Sequence, residues 1–278
     1  MARRLGSCLV VLVALAIVPS ALAAFPGPYG LQGGPGVLSS DGTVSFTAEK
    51  AAGGTLISAV SRDGGATLRS RTIEGAWGIP TLQYGKPGEG VSRDGKTFIL
   101  ENVGFANTSK FMFLSTSDLS TVDSFTLNGT YVFDALSPSS SMMYLIQHQT
   151  TQDVNHYIVR GYNLHTHTLL PRRIADKTQA SWVMQGWAVT RATSANGRWI
   201  YTLYANPGGY PFVHALDTVN SVAHCVGLPW PATNGEQGAV FNYSLRLKGH
   251  MLAVRYQGGS VFRTINTTNW KVSKPVAR

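Results

Sequence analysis

The sequence has little cysteine. The 278-residue chain contains two cysteines, Cys8 and Cys225. Cys8 lies inside an N-terminal apolar stretch that we expect to be removed, so Cys225 would be the only cysteine of the mature chain. This excludes an intrachain disulfide, and the fold must be stabilised by its core alone. We interpret Cys225 as a buried, unreactive thiol, because the sequence assigns it no histidine and no orienting partner.

Charged residues are also scarce, and they are unevenly balanced. Asp, Glu, Lys and Arg make up 13% of the chain, with a formal net charge of +9. Arg172–Arg173 is the only basic pair after the N-terminal segment, whereas nucleic-acid-binding proteins cluster Lys and Arg on one face or helix. The sequence therefore predicts no nucleic-acid partner. The basic surplus favours weak attraction to anionic polymers of the cell envelope.

No long apolar run follows the N-terminus. Arg3 and Arg4 precede an apolar stretch over 5–18, Pro19 interrupts it, and the small residues of 21–23 complete the pattern of a secretory signal peptide. The apolar stretch is too short for a membrane-spanning helix, which needs roughly 20 residues. We therefore expect a secreted monomer, extracellular or periplasmic, without stable membrane insertion after cleavage. Its segments are a signal peptide (1–23), a Pro/Gly-rich extended leader (24–36) and a single domain (37–278).

Helical periodicity is missing as well. No segment after the signal peptide sustains apolar residues at i, i+3, i+4 and i+7 over three turns. Val, Thr, Tyr, Phe and Trp dominate the periodic stretches, and Gly, Asn, Asp and Ser separate them. These features predict an all-β protein.

What the chain does contain is a repeat of strand, tight polar turn and strand. A period of roughly 45–55 residues built from hairpins is typical of β-propeller blades. We predict about five four-stranded blades, with six blades or a pair of β-sandwich sheets as alternatives. The ring would close either through the leader or by packing of the first and last blades face to face. The repeated turns are Ser-Ser-Asp-Gly (39–42), Ser-Arg-Asp-Gly (92–95), Ser-Pro-Ser-Ser (137–140), Ser-Ala-Asn-Gly (194–197) and Leu-Lys-Gly-His (247–250).

Two of these repeats resemble a known family. Ser-Arg-Asp-Gly-Lys-Thr-Phe-Ile-Leu (92–100) and Ser-Ala-Asn-Gly-Arg-Trp-Ile-Tyr (194–201) are similar to the Ser-Pro-Asp-Gly turn of bacterial WD40-like and YVTN-type β-propellers. The segment 212–218 looks like their hydrophobic-Asp-Thr strand end. The resemblance concerns the repeat over about 37–275 and implies a propeller; no blade ends in Trp-Asp, and the turns at 137–140 and 247–250 lack Asp-Gly.

The longer loops of such a propeller lie on one rim and are rich in aromatic residues. Loops on a rigid scaffold tend to carry function, and Trp and Tyr anchor protein and glycan contacts. We therefore predict a binding module for a protein or glycan of the cell envelope, while the same rings could instead fill space between blades. The predicted binding residues are Trp77, Tyr84, Trp182, Trp187, Tyr210 and Trp230.

An extracellular propeller hydrolase or lactonase is the alternative, with Glu101, Asp134, Asp153 and His148 at the channel mouth as candidate acid–base groups. His165 and His167, two apart on a predicted strand, could bind a metal with His148 and His156, but solvent-exposed or packing histidines are favoured. No nucleophile elbow, His-Glu-x-x-His motif or phosphate-binding loop occurs. We therefore assign no catalytic residue, metal or cofactor. A cell-envelope structural repeat without a ligand is the third possibility.

Overall fold

The chain folds into antiparallel β-sheets, with a short 3-10 turn at Lys177–Gln179. The computed structural model contains five sheets that follow one another along the sequence, one for each predicted repeat. The described part of the chain comprises residues 29–83, 86, 88–179, 183–206, 209–228, 240–256 and 259–275.

The N-terminal half of the chain forms the first two sheets. Strand β1 (Tyr29–Leu31) precedes the first sheet, whose strands are hydrogen-bonded in chain order: β2 (Val37–Leu38), β3 (Val44–Ala51), β4 (Gly54–Ser61) and β5 (Thr67–Ile73). The second sheet has the order β1-β6-β7-β8-β9 and adds these strands: β6 (Trp77–Thr81), β7 (Thr97–Asn102), β8 (Thr108–Ser115) and β9 (Thr121–Asn128).

The C-terminal half forms three more sheets, again in chain order. The third contains β10 (Thr130–Leu136), β11 (Met142–His148), β12 (His156–Asn163) and β13 (Thr168–Ile174), and β14 (Met184–Gln185) pairs with β12. The fourth contains β15 (Trp187–Thr193), β16 (Trp199–Ala205), β17 (Phe212–Asp217) and β18 (Val222–Gly227). The fifth contains β19 (Tyr243–Lys248), β20 (Met251–Tyr256) and β21 (Val261–Asn266).

The predicted polar turns share one hydrogen-bond pattern in the first four repeats. The Ser92 hydroxyl donates to Asp94 at 2.7 Å and accepts the backbone N–H of Thr97 at 3.0 Å. Gly95, with φ 71°, closes the turn by donating its N–H to the Ser92 carbonyl, a conformation that favours glycine. The same bond to the N–H five residues on is made by Ser39, Ser137 and Ser194.

Consecutive sheets pack face to face. Between the first and second sheets the rings of Phe46 and Phe98 stack with their centroids 4.5 Å apart, and further hydrophobic clusters join the second sheet to the third, the third to the fourth and the fourth to the fifth. Such stacking of four-stranded meanders is the arrangement of propeller blades. The predicted all-β propeller with about five blades is therefore confirmed.

From the second blade to the fifth, a second turn contacts the blade before it. The turn that follows the third strand carries a non-glycine residue with positive φ, among them Leu119, Ser221 and Trp270. Ser221 lies 2.7 Å from the Tyr144 hydroxyl of the preceding sheet, and the Trp270 ring lies 4.6 Å from that of His224. Positive φ is unfavourable for residues with a Cβ, so these contacts compensate for local strain.

The first and fifth sheets differ from the middle three in burial. Strand β16 is buried along almost its whole length, which means that both faces of its sheet are covered. The corresponding second strands of the first and fifth sheets, β3 and β20, instead have an alternating stretch, and β19 begins as buried, exposed, buried, exposed. Alternation is typical of a sheet with one solvated face. No hydrophobic cluster of the described residues joins the fifth sheet to the first.

Both ends of the chain differ from the predicted repeat. Part of the extended leader forms a strand, because Tyr29–Leu31 pairs with Trp77–Thr81, where Trp77 was predicted to lie in a rim loop. This pairing adds a strand to the second sheet and does not close the ring through the last one. The four strands predicted for each blade are not complete in the fifth, where the described residues 271–275 contribute only a bridge between Val272 and Ile265.

Candidate functional site

A pocket opens between the third and fourth sheets, at the rim predicted to carry the binding loops. Its volume is about 320 Å³. The crossover after β13, strand β14, the loop between β16 and β17, and strand β18 supply its walls. The lining residues are Ala175, Asp176, Val183, Met184, Gln185, Asn206, Tyr210, Phe212, Cys225 and Gly227. Most of this lining is apolar, with a few polar groups, which is the composition of ligand pockets in general.

Asp176 fixes one wall of the pocket. Its Oδ1 accepts hydrogen bonds from the N–H and the hydroxyl of Thr178 at 2.9 and 2.7 Å, and its Oδ2 accepts the N–H of Cys225 at 3.0 Å. The crossover is thereby attached to the open edge of β18. Partial burial opposes ionisation, but these hydrogen bonds and the neighbouring His224 outweigh it and lower the pKa of Asp176. The carboxylate is therefore ionised and largely occupied by the protein itself.

The opposite wall is tied together by two amide side chains. Gln185 Nε2 donates to Asn206 Oδ1 at 2.8 Å, and Asn206 Nδ2 donates to the carbonyl of Tyr210 at 3.3 Å. The short pairing of β14 with β12 places Gln185 opposite His156. The loop that carries Tyr210 is thus connected through Asn206 to the third sheet, and the Tyr210 side chain remains 58% exposed at the mouth.

The floor of the pocket contains the lone thiol. Cys225 Sγ lies 3.5 Å from His214 Nδ1, an arrangement that resembles a nucleophile with its base. Burial, however, raises the pKa of Cys225 to about 12 and lowers the pKa of His214 to about 4. A thiol with so high a pKa is not a nucleophile near neutral pH, in agreement with the interpretation of Cys225 as unreactive.

The structure separates the six predicted rim residues. Tyr210 lies at the pocket mouth, and Trp187 is half-buried against the cluster between the fourth and fifth sheets. Trp77 is not on an exposed rim: it is 9% exposed, packs between the first two sheets and donates its ring N–H to Glu74 O at 2.8 Å. Three lie outside the described residues: Tyr84, Trp182 and Trp230.

The candidate acid–base residues do not form one centre. Among the described residues, no hydrogen bond or ion pair joins any two of Glu101, Asp134, Asp153 and His148. Glu101 is buried and accepts the N–H of Phe133 at 2.8 Å. Asp153 is an exposed partner of His156, and His148 packs against aromatic rings. Within the described part of the chain the four residues are thus not joined in one hydrogen-bonded network, although the charge of Asp153 acts on His148.

The predicted histidine pair is not on a strand. Strand β12 ends at Asn163 and β13 begins at Thr168, so His165 and His167 lie in the turn between them. His167 has φ 53° and its ring contacts Phe125 of the preceding sheet, with the centroids 6.2 Å apart. In the part of the chain that the structure describes, no group of three or more His, Cys, Asp or Glu residues could hold a metal ion.

A buried ion cluster was missed by the sequence analysis. Arg191 on β15 forms an ion pair with Asp134 on β10. It forms a second ion pair, at 2.9 Å, with Glu89 in the segment between β6 and β7. Its Nε also donates to Thr202 Oγ1 at 2.9 Å. The Arg191 and Asp134 side chains are 4% and 3% exposed. This cluster of one cation and two carboxylates links residues of the second, third and fourth blades.

Comparisons with known proteins give a likeness at the level of fold. No protein-family model matches the chain, and no curated protein matches it. Similar solved structures include the Swd1 β-propeller domain of Myceliophteria thermophila, with 10% identity over 85% of this chain and 68% of that chain at a TM-score of 0.48. A TolB-like protein of Agrobacterium tumefaciens has 15% identity. The match covers 88% of this chain and 80% of that chain, at a TM-score of 0.47.

A further solved structure, TolB of Acinetobacter baumannii, has 14% identity, and the match covers 91% of this chain and 54% of that chain at a TM-score of 0.41. This chain therefore spans about half the length of that protein. These TM-scores lie below 0.5, so the propeller assignment rests on the chain's own sheets and their stacking. Among the described residues, no helix is both long and apolar enough to cross a membrane.

Proposed function

We propose that this protein is a secreted β-propeller module that binds a protein or glycan of the cell envelope at the rim between its third and fourth blades. The observation that supports the proposal is the pocket with Tyr210 at its mouth. An aromatic ring that is 58% exposed beside an apolar cavity of about 320 Å³ offers contact area at small entropic cost. Two predicted rim residues flank this region in the sequence, since Trp182 precedes Val183 and Trp230 follows Leu228 by two positions.

The walls of the pocket suit binding better than chemistry. The ionised Asp176 is engaged by three protein hydrogen bonds, and the thiol of Cys225 is protonated. The accessible surface therefore consists mainly of an aromatic ring and apolar side chains, which recognise the apolar part of a ligand. A sugar ring or a short side chain of a protein partner has such a part. Export would follow from the N-terminal signal, with a mature chain that starts at Ala24.

The test is binding of the purified, exported protein to an array of cell-envelope oligosaccharides and envelope proteins. N-terminal sequencing of the same sample checks whether the mature chain starts at Ala24. Tyr210→Ser is the probing variant, and Leu68→Ser is the control because Leu68 is a similarly exposed apolar residue on the first sheet. We expect at least one ligand whose affinity falls tenfold or more in Tyr210→Ser and stays unchanged in Leu68→Ser. Equal binding by both variants would contradict the proposal, as would a folded protein that binds nothing on the array.

A further inference from the structure

The fifth sheet has one face that no blade of the described structure covers. Because paired residues share a face, the register of β19 with β20 places Ser244, Arg246, Lys248, Met251 and Arg255 together. All of these side chains are exposed except Arg255, which is half-buried. We call this surface the basic face. The other side of the sheet, with Leu245, packs on the fourth sheet.

The basic face carries positive charge on a sheet that contains no acidic residue. No Asp or Glu follows Glu236 in the sequence, so the whole fifth sheet is free of acidic residues. Lys271 and Lys274, exposed near the same sheet, have the same sign. Charges in one blade therefore add rather than cancel, and they give this face a positive potential that attracts anions.

The spacing of the charges fits an extended polyanion. Arg246 and Lys248 are alternate residues of one strand and so lie about 7 Å apart along it. Arg255 lies diagonally across on the neighbouring strand, where its guanidinium donates to the carbonyl of Gly259 and is thereby held in place. A row of cations along a flat sheet can contact several successive anionic groups of one linear chain, whereas a single small anion would meet one of them.

The neutral residues of the basic face favour sugars over nucleic acid. Ser244, Thr264 and Asn266 share this face through the register of the three strands, and their hydroxyl and amide groups can exchange hydrogen bonds with sugar hydroxyls. The aromatic residues Tyr243 and Phe262 belong to the cluster on the other side. Binding of single-stranded nucleic acid relies on aromatic stacking with the bases, and the basic face provides no described ring for it.

We propose that the basic face binds a linear acidic polysaccharide. This site is separate from the pocket beside Tyr210, which lies between the third and fourth sheets. The anionic groups of the polysaccharide can be carboxylates or sulfates, because both pair with Arg and Lys. Binding at this face depends on several exposed ion pairs and is therefore sensitive to salt.

The test uses the full-length purified protein with four probes: alginate as a polyuronate, heparin as a sulfated polysaccharide, a 20-nucleotide oligo(dT) and poly-glutamate. Affinities are measured by calorimetry at 50 and 200 mM NaCl. The probing variant is Arg246→Ser/Lys248→Ser. The control is Lys50→Ser/Lys110→Ser, which removes the same charge from exposed strand positions of the first and second sheets. Circular dichroism checks that both variants are folded.

We expect alginate or heparin to bind, with an affinity that falls tenfold or more in Arg246→Ser/Lys248→Ser and less than threefold in the control. The salt dependence should also become shallower in the probing variant. Whichever polysaccharide binds identifies the anionic group. Equal losses of affinity in both variants would show that binding depends on net charge alone, and they would overturn the proposal. Tighter binding of poly-glutamate or oligo(dT) through the same residues, or no polysaccharide binding at 50 mM NaCl, would also overturn it.

Discussion

Replacing Glu101 with Gln is the sharpest test of the energetics of this fold. Glu101 lies on β7, is 2% exposed, and accepts the N–H of Phe133 with one carboxyl oxygen at 2.8 Å. The other oxygen, Oε1, is buried without a hydrogen-bond partner among the described residues. Burial in this apolar contact between the second and third blades raises the pKa of Glu101 from 4.5 to about 8. The folded protein thus keeps a proton that the unfolded chain releases.

The consequence for stability has a definite sign. Between pH 4.5 and about 8 the unfolded chain has lost the Glu101 proton and the folded protein retains it. The free energy of unfolding therefore falls as the pH rises through this window, and it levels off above it. At about 1.4 kcal/mol for each pH unit, this single group removes about 3 kcal/mol between pH 5 and pH 8. Glu101→Gln keeps an oxygen for the Phe133 N–H but cannot ionise, so it abolishes this loss.

The assay is urea unfolding of wild type and Glu101→Gln, followed by tryptophan fluorescence from pH 5 to pH 8. His148 and His214, whose pKa values burial lowers to about 4, reduce stability as the pH falls below about 6.5, but they do so equally in both proteins. The difference between the two curves therefore isolates Glu101. We expect the variant to gain about 3 kcal/mol relative to wild type over this range. Parallel curves would refute the reasoning, because they would mean that Glu101 ionises as an exposed carboxyl does.

Two other buried groups give further predictions. Arg191→Met should lower the free energy of unfolding by about 3–5 kcal/mol, because it leaves Asp134 as an unpaired buried charge. Adding Asp134→Asn should recover part of this loss. A loss below about 1 kcal/mol for Arg191→Met in urea unfolding would contradict a buried pair. Cys225, with its pKa raised to about 12 by burial, should react with iodoacetamide at pH 8 much more slowly in the folded protein than in the urea-unfolded chain, because little of it is thiolate. Rapid alkylation of the folded protein would show an accessible thiolate instead.

The repeats could be predicted because their chemistry is local. Ser92 and Asp94 close a turn within six residues, and Gly95 supplies the positive φ, so the pattern is visible wherever it recurs. Strand β6 was missed because Gly78 and Pro80 normally interrupt strands. Both are accommodated by close pairing: the position of a Gly78 Cβ would lie 2.3 Å from the backbone of Gly30 on β1. Only the three-dimensional approach of these two strands explains why glycine is needed there.

The site was less predictable, because its parts come from separate segments. Tyr210 was identified from its place in a long loop, but the pocket beside it depends on Asp176 reaching the N–H of Cys225, 49 residues away in the chain. The ion cluster of Arg191 with Asp134 spans 57 residues in the same way. Neither pair has a local pattern, because the partners meet only when blades stack. Trp77 was placed on the rim since loop position alone does not tell whether a ring faces solvent or the neighbouring blade.

The solvent-exposed faces of the first and fifth blades, by contrast, can be recognised from the sequence of their strands. A strand covered on both faces is apolar at successive positions, as in Ile200–Ala205, whereas a strand with one solvated face alternates. Tyr243–Lys248 alternates between apolar and polar residues, and Gly54–Ser61 alternates between buried and half-buried positions. The first and fifth blades are thus built to present one face to water. Among the described residues no hydrophobic cluster joins these two sheets. The charged face of Tyr243–Lys248 would be costly to bury, and it is available to a charged partner.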